Sequence, residues 1–154
     1  MKKNRYILPK DSLEKERLYM LERGLRPSYR RAVVLNYMRG NRSHPTVDDI
    51  YSDLKDKLPS LSKTTVYNVL SFFVSHGILK ELITDEGKSR YDFMERPHAH
   101  FRCLECGRIY DIFVDERLLN VKEIDGHQVT DVQVYFTGIC KECLGKRQKR
   151  IGNE

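Results

Sequence analysis

A chain of 154 residues with 40% hydrophobic content has room for two small domains or one medium one and can build a core. No run approaches the roughly 20 apolar residues of a membrane span, and the opening Met1-Lys-Lys-Asn-Arg-Tyr lacks the apolar stretch of a signal peptide, so no membrane-spanning helix is expected and the chain is placed in the cytoplasm. The net charge of +6 is unevenly placed: residues 1–92 carry 18 Lys/Arg against 12 Asp/Glu, residues 93–154 carry 10 against 10, and residues 1–42 alone carry 12 against 4. That division suits a nucleic-acid-binding domain joined to a neutral partner, although charge alone leaves a merely solvated basic surface equally open.

Helical periodicity dominates the first part. Residues 12–23 form a charged amphipathic segment (Leu13, Leu18, Met20, Leu21) stopped by Gly24. Ser28 is placed to cap a second helix through Met38, ended by Gly40. After the extended His44-Pro45, Thr46 with Asp49 resembles a capping box that opens a helix carrying Val47, Ile50, Tyr51 and Leu54, ended by Pro59. Ser62 can cap the next helix, where Val66, Val69, Leu70 and Phe73 recur at i, i+3, i+4 and i+7 until Gly77. These two helices and their short turn form a helix-turn-helix candidate. Residues 78–84 and 88–93 then read as strands around a turn at Asp85-Glu86-Gly87, which completes a winged-helix pattern.

A hinge is expected at Met94 to Pro97. Beyond it, His100 to Phe113 and Gln128 to Phe136 alternate like strands around a short helical stretch at Glu116 to Lys122, and the basic tail Lys146 to Arg150 is expected to fray. The fold class is α+β: residues 1–93 a winged-helix DNA-binding domain, residues 98–154 a small α/β domain.

In the presumed recognition helix the buried stripe leaves Lys63, Thr64, Tyr67, Asn68 and Ser71 off the core face. Lys63 can contact phosphate, while Thr64, Tyr67 and Asn68 offer hydrogen bonds and apolar contact to base edges; Arg26 joins them as a DNA-contacting candidate. A plain polar helix surface is the alternative, and the wing and the basic leading segment favour DNA.

All four cysteines lie in the second part, as Cys103-Leu-Glu-Cys106 and Cys140-Lys-Glu-Cys143. Two CxxC turns supply four thiolates, a closed tetrahedral set that favours structural zinc. The 33 residues between the pairs must carry a strand and helix of their own. A redox role is the rival, and it lacks a thioredoxin-like βαβ pattern. His98-Ala-His100 puts two imidazoles on one face of an extended segment, with Asp92, Asp111 and His44 as further candidates. Spacing alone does not bring His44 or Asp92 to that cluster.

The stretches His44-Pro-Thr-Val-Asp-Asp-Ile-Tyr51, Thr65-Val-Tyr67, Ser89-Arg-Tyr-Asp-Phe93 and His98-Ala-His-Phe-Arg-Cys-Leu-Glu-Cys-Gly107 resemble, in order, the signature of ferric uptake regulators. The resemblance runs from about Leu13 to Cys143. It implies a homodimeric winged-helix repressor, not an enzyme, that holds structural Zn(II) on Cys103, Cys106, Cys140 and Cys143 and binds double-stranded operator DNA when a regulatory Fe(II) or Mn(II) sits on His44, Asp92, His98, His100 and Asp111. Three histidines with two aspartates are similar to the peroxide-stress repressor pattern, in which His44 and His98 would be the ligands open to oxidation; iron-sensing relatives more often carry glutamate at the places of Asp92 and Asp111.

Departures from the pattern are Ser28 where threonine is usual, Val132 where many relatives have a histidine that His127 does not obviously replace, and a slightly short segment between Asp111 and Cys140. The close alternative is an iron-responsive regulator of iron acquisition. A zinc deaminase would need HxE where His98-Ala-His100 stands, and a zinc-stabilised interaction module would leave the charge division unexplained.

Overall fold

The computed structural model describes residues 13–83 and 87–151. They fall into two compact units that divide between Met94 and Glu95. Among the described residues no helix is long and apolar enough to cross a membrane.

The first unit runs α1 (Glu14–Glu22), α2 (Tyr29–Gly40), α3 (Val47–Leu54), α4 (Lys63–Ser75), β1 (Leu79–Ile83) and β2 (Ser89–Phe93). Its helices α2, α3 and α4 start where side-chain oxygens satisfy otherwise orphaned N–H groups. Ser28 accepts from the Arg31 N–H, Ser62 from that of Thr65, and Thr46 and Asp49 close a full capping box. The helix α4 ends in a Schellman turn: Gly77, at φ +68°, donates to Val74 O, and Ile78 donates to Phe73 O. Val33, Leu35 and Met38 of α2, Ile50 and Leu54 of α3, and Val66, Leu70 and Phe73 of α4 close the core, and β1 pairs antiparallel with β2 through Leu79↔Phe93. This is a helix-turn-helix followed by a two-stranded wing. The expected turn residues Asp85 and Glu86 lie outside the described residues.

One expectation for this unit needs correction. Leu18 and Leu21 are 46% and 45% exposed, because the inner face of α1 carries Leu13, Glu16 and Met20 at spacings of three and four. Buried Glu16 accepts from Asn36 Nδ2 (3.1 Å) and lies 3.6 Å from Arg39 Nε. Met94 donates its N–H to Ile78 O, and the two units divide just after it.

The second unit runs β3 (Ala99–Cys103), β4 (Ile109–Ile112), α5 (Glu116–Leu119), β5 (Glu123–Ile124), β6 (His127–Gln128), β7 (Tyr135–Gly138) and α6 (Lys141–Ile151). β3 is central, antiparallel to β4 and parallel to β7. The apparent strand at 100–113 is thus a hairpin folded at Cys103–Gly107, and the one expected at 128–136 survives only at its ends, as β6 and β7. β6 pairs with β5 across Asp125-Gly126, both at positive φ, a two-residue turn that fixes a small separate hairpin. The helix expected over Glu116–Lys122 stops at Leu119. The basic tail does not fray by Arg150: α6 continues through it, with Arg147 Nε bonded to Glu105 Oε2 at 2.8 Å.

Candidate metal centres and DNA-binding face

On α4 the core stripe is buried and Lys63, Thr64, Tyr67 and Asn68 are exposed, Tyr67 at 54%. Arg26 is exposed too, and its carbonyl accepts from Arg31 Nη1 at 2.6 Å. Two features were not foreseen. Lys63 pairs with Asp48 of α3 (2.9 Å), an exposed contact of small net energy that phosphate can displace. Arg30, at the start of α2, reaches Ser60 Oγ just ahead of α4 (3.2 Å), which adds a cation beside the helix-turn-helix. The contact spans 30 residues of sequence, so no local signal announced it.

The four cysteines meet in the second unit. The β3–β4 hairpin presents Cys103 and Cys106, and the first turn of α6 presents Cys140 and Cys143; all four sulfurs lie within 4.8 Å of one another. Cys103 and Cys143 Sγ are 3.9 Å apart, Cys106 and Cys140 Sγ 3.8 Å. A tetrahedron with zinc–sulfur bonds of about 2.3 Å has an edge of about 3.8 Å. The spacing therefore fits zinc and is far too long for disulfides. Backbone N–H groups of Cys106 and Cys140 aim at Cys103 Sγ and hold that thiol down to about 6, whereas burial pushes the Cys143 thiol up. Tyr110, on β4, packs against the cysteine cluster, and its nearness to Cys140 lowers that thiol while its own phenol rises to about 12.

On the opposite face of the same sheet, His100 of β3 stands across from Asp111 of β4. Asp111 Oδ1 lies 3.3 Å from His98 Nε2 and 3.8 Å from His100 Nε2. His98 Nδ1 donates to Arg96 O at 2.8 Å, which leaves Nε2 as the lone-pair nitrogen turned toward Asp111. Phe113 flanks His98 (centroids 6.4 Å apart) and Tyr135 flanks His100 (5.6 Å).

Within the first unit His44 and Asp92 also come together, Nε2 to Oδ1 at 3.7 Å, both buried. His44 sits in the left-handed region at φ 53°, a conformation sparsely used by non-glycine residues. Its loop is tied to β2, as Arg90 Nη1 donates to His44 O (3.1 Å) and Tyr91 N to Pro45 O (3.0 Å). Nitrogen and carboxylate donors without thiolate suit Fe(II) or Mn(II). The sequence-predicted residues thus gather as one pair in the first unit and one triad in the second.

Residues 22–137 match the model of the ferric uptake regulator family. The chain is 38% identical over 128 residues to the peroxide operon regulator of Bacillus subtilis (strain 168), covering 81% of this chain and 88% of that relative. It resembles the solved Campylobacter jejuni peroxide stress regulator with a TM-score of 0.64 at 28% identity, over 86% of this chain and 99% of that one. It resembles the ferric uptake regulator of Francisella tularensis, solved with iron, with a TM-score of 0.62 at 26% identity, over 79% and 96%. A family match spanning well over half of its length shows that the chain belongs to the ferric uptake regulator family.

Proposed function

We propose that the protein is a homodimeric, metal-dependent transcriptional repressor that senses peroxide through oxidation of a histidine ligand, His44 or His98. The observation that carries this reading is the one carboxylate oxygen of Asp111 facing the Nε2 atoms of both His98 and His100, in a chain whose curated relative is named a peroxide operon regulator. Cys103, Cys106, Cys140 and Cys143 would hold structural zinc, a closed set with no position left for chemistry.

His98, His100 and Asp111 in the second unit, with His44 and Asp92 in the first, would together hold a regulatory Fe(II) or Mn(II). Ligands drawn from both units restrict their relative orientation, and in a dimer that sets the spacing of two recognition helices against paired half-sites. The metal is then the effector of DNA binding. A bound ferrous ion would supply the electron that peroxide takes up. His44 or His98 would take one oxygen atom from the peroxide while the other leaves as water, would cease to be a good nitrogen donor, and would free the two units.

Mn(II)-loaded protein should bind an operator duplex, and chelation should abolish that binding. Because the exposed cations work mainly through phosphates, affinity should fall steeply with added salt. Tyr67→Ala should weaken operator binding more than binding to random duplex. Equal losses on both would show that α4 is not the reader, and binding indifferent to metal would sink the repressor mechanism. Iron-dependent repression insensitive to peroxide would favour the iron-responsive alternative.

A further inference from the structure

Strand alternation sorts the second unit's sheet into two faces. Phe101 pairs with Tyr110 and Phe136 on the face that carries Cys103, whereas His100 pairs with Asp111 and Tyr135 on the other. Tyr135 is therefore the phenol of this sheet that shares a face with the imidazoles, and its ring centroid lies 5.6 Å from that of His100, tilted by 31°. Its hydroxyl donates to Gln133 Oε1 (3.1 Å), and Gln133 Nε2 is in turn anchored on Asp131 Oδ2 (3.0 Å). Phe113, the ring beside His98, has no hydroxyl hydrogen to give. A phenol yields one electron and one proton more readily than an imidazole does, and a fixed contact of two rings makes that transfer intramolecular.

We propose that Tyr135 is a second oxidation site that competes with the histidines for each peroxide and so sets how much peroxide the sensor tolerates before it releases DNA. This rests on the peroxide reading of the site above. Tyr135 gives up its phenolic hydrogen atom as one peroxide and one ferrous ion become water, hydroxide and a ferric ion, and a tyrosyl radical remains. Loss of a second electron to that ferric ion and addition of water, with release of a proton, converts the ring to a catechol. The net change is one peroxide consumed, one water released and one oxygen atom gained, the same balance as oxidation of a histidine, so each peroxide is spent on one ring or the other. Phenol oxidation leaves all three imidazoles intact as donors.

The test uses the full chain loaded with Fe(II), treated with limiting peroxide, frozen for electron paramagnetic resonance and digested for mass analysis. Wild-type protein should show a tyrosyl radical signal and one added oxygen on the peptide carrying Tyr135. Tyr135→Phe, which keeps the ring beside His100 and removes the hydroxyl, should lose that radical and show several-fold more oxygen on the His98 or His44 peptide for the same peroxide. Wild-type protein with oxidised histidines, an unmodified Tyr135 and a histidine yield equal to that of Tyr135→Phe would overturn the proposal while leaving the peroxide reading intact. No oxidation of any of these peptides in wild-type protein would overturn both.

Discussion

Asp111 makes the most consequential contact of any single residue, because one oxygen of its short side chain faces two imidazole nitrogens across a single strand pair. Lengthening it by one methylene keeps the charge but moves the oxygen. Asp111→Glu is therefore expected to preserve metal-dependent operator binding while slowing peroxide-driven oxidation of the histidines, read by mass analysis of the His98 peptide over time. An unchanged oxidation rate would remove the distinction between aspartate and glutamate on which the peroxide reading leans. The triad was partly legible: His98 and His100 are two apart on an extended segment, and period two puts them on one face. The hydrogen bond from His98 Nδ1 to the Arg96 carbonyl and the tilted ring contact of Tyr135 with His100 were not, since the first depends on backbone conformation and the second on a parallel pairing across 35 residues.

Among the elements, those announced by local chemistry were the readable ones. Ser28, Thr46 and Ser62 cap the helices that their positions promised, since a cap needs only a side-chain oxygen and the N–H groups just beyond it. The box at Thr46 has a functional side, because it begins two residues after His44 and helps fix the strained loop that carries it. Thr46→Ala should cost about 1 kcal/mol of stability in denaturant unfolding, and metal-dependent DNA binding should weaken through the loosened His44. Undiminished stability would mean that the loop is fixed by its ties to β2 alone. The apparent strand over 128–136 failed for a different reason: alternation records which side chains could face a core and not whether a partner strand lies alongside. The Asp125-Gly126 turn, a legible hairpin signal, was the clue that β6 turns back on β5 instead. The tail was misread in the opposite direction, because its basic composition hid the anchoring of α6 through Cys140, Cys143 and the Arg147–Glu105 pair.

For the whole molecule, the second unit rests on the cysteine tetrad. Its described buried apolar core beyond Ala99 and Ile109 is Cys103, Cys140 and Cys143, with Phe101, Tyr110 and Ile139 packed against them, so zinc on this tetrad would take the place that apolar side chains hold in the first unit. Structural zinc in small domains adds roughly 10 to 16 kcal/mol to folding, and Cys103→Ser should lose both metal and dimer, measured by elemental analysis and sedimentation. A folded, dimeric, zinc-free variant would contradict that assignment. The four cysteines were legible as a set because CxxC spacing is local. The grouping of His44 with Asp92 became legible only through family resemblance, since 47 residues separate them.

Whether a histidine ligand is the peroxide sensor is decided by peroxide treatment of the full chain loaded in parallel with Fe(II) and with Mn(II), each sample followed by operator binding and peptide mass. The Fe(II) form should gain one oxygen atom on the peptide carrying His98 or His44 and release the operator, while the Mn(II) form keeps both its mass and its DNA. Fe(II) protein that stays bound to the operator after peroxide, with His44 and His98 unmodified, would rule out a histidine sensor.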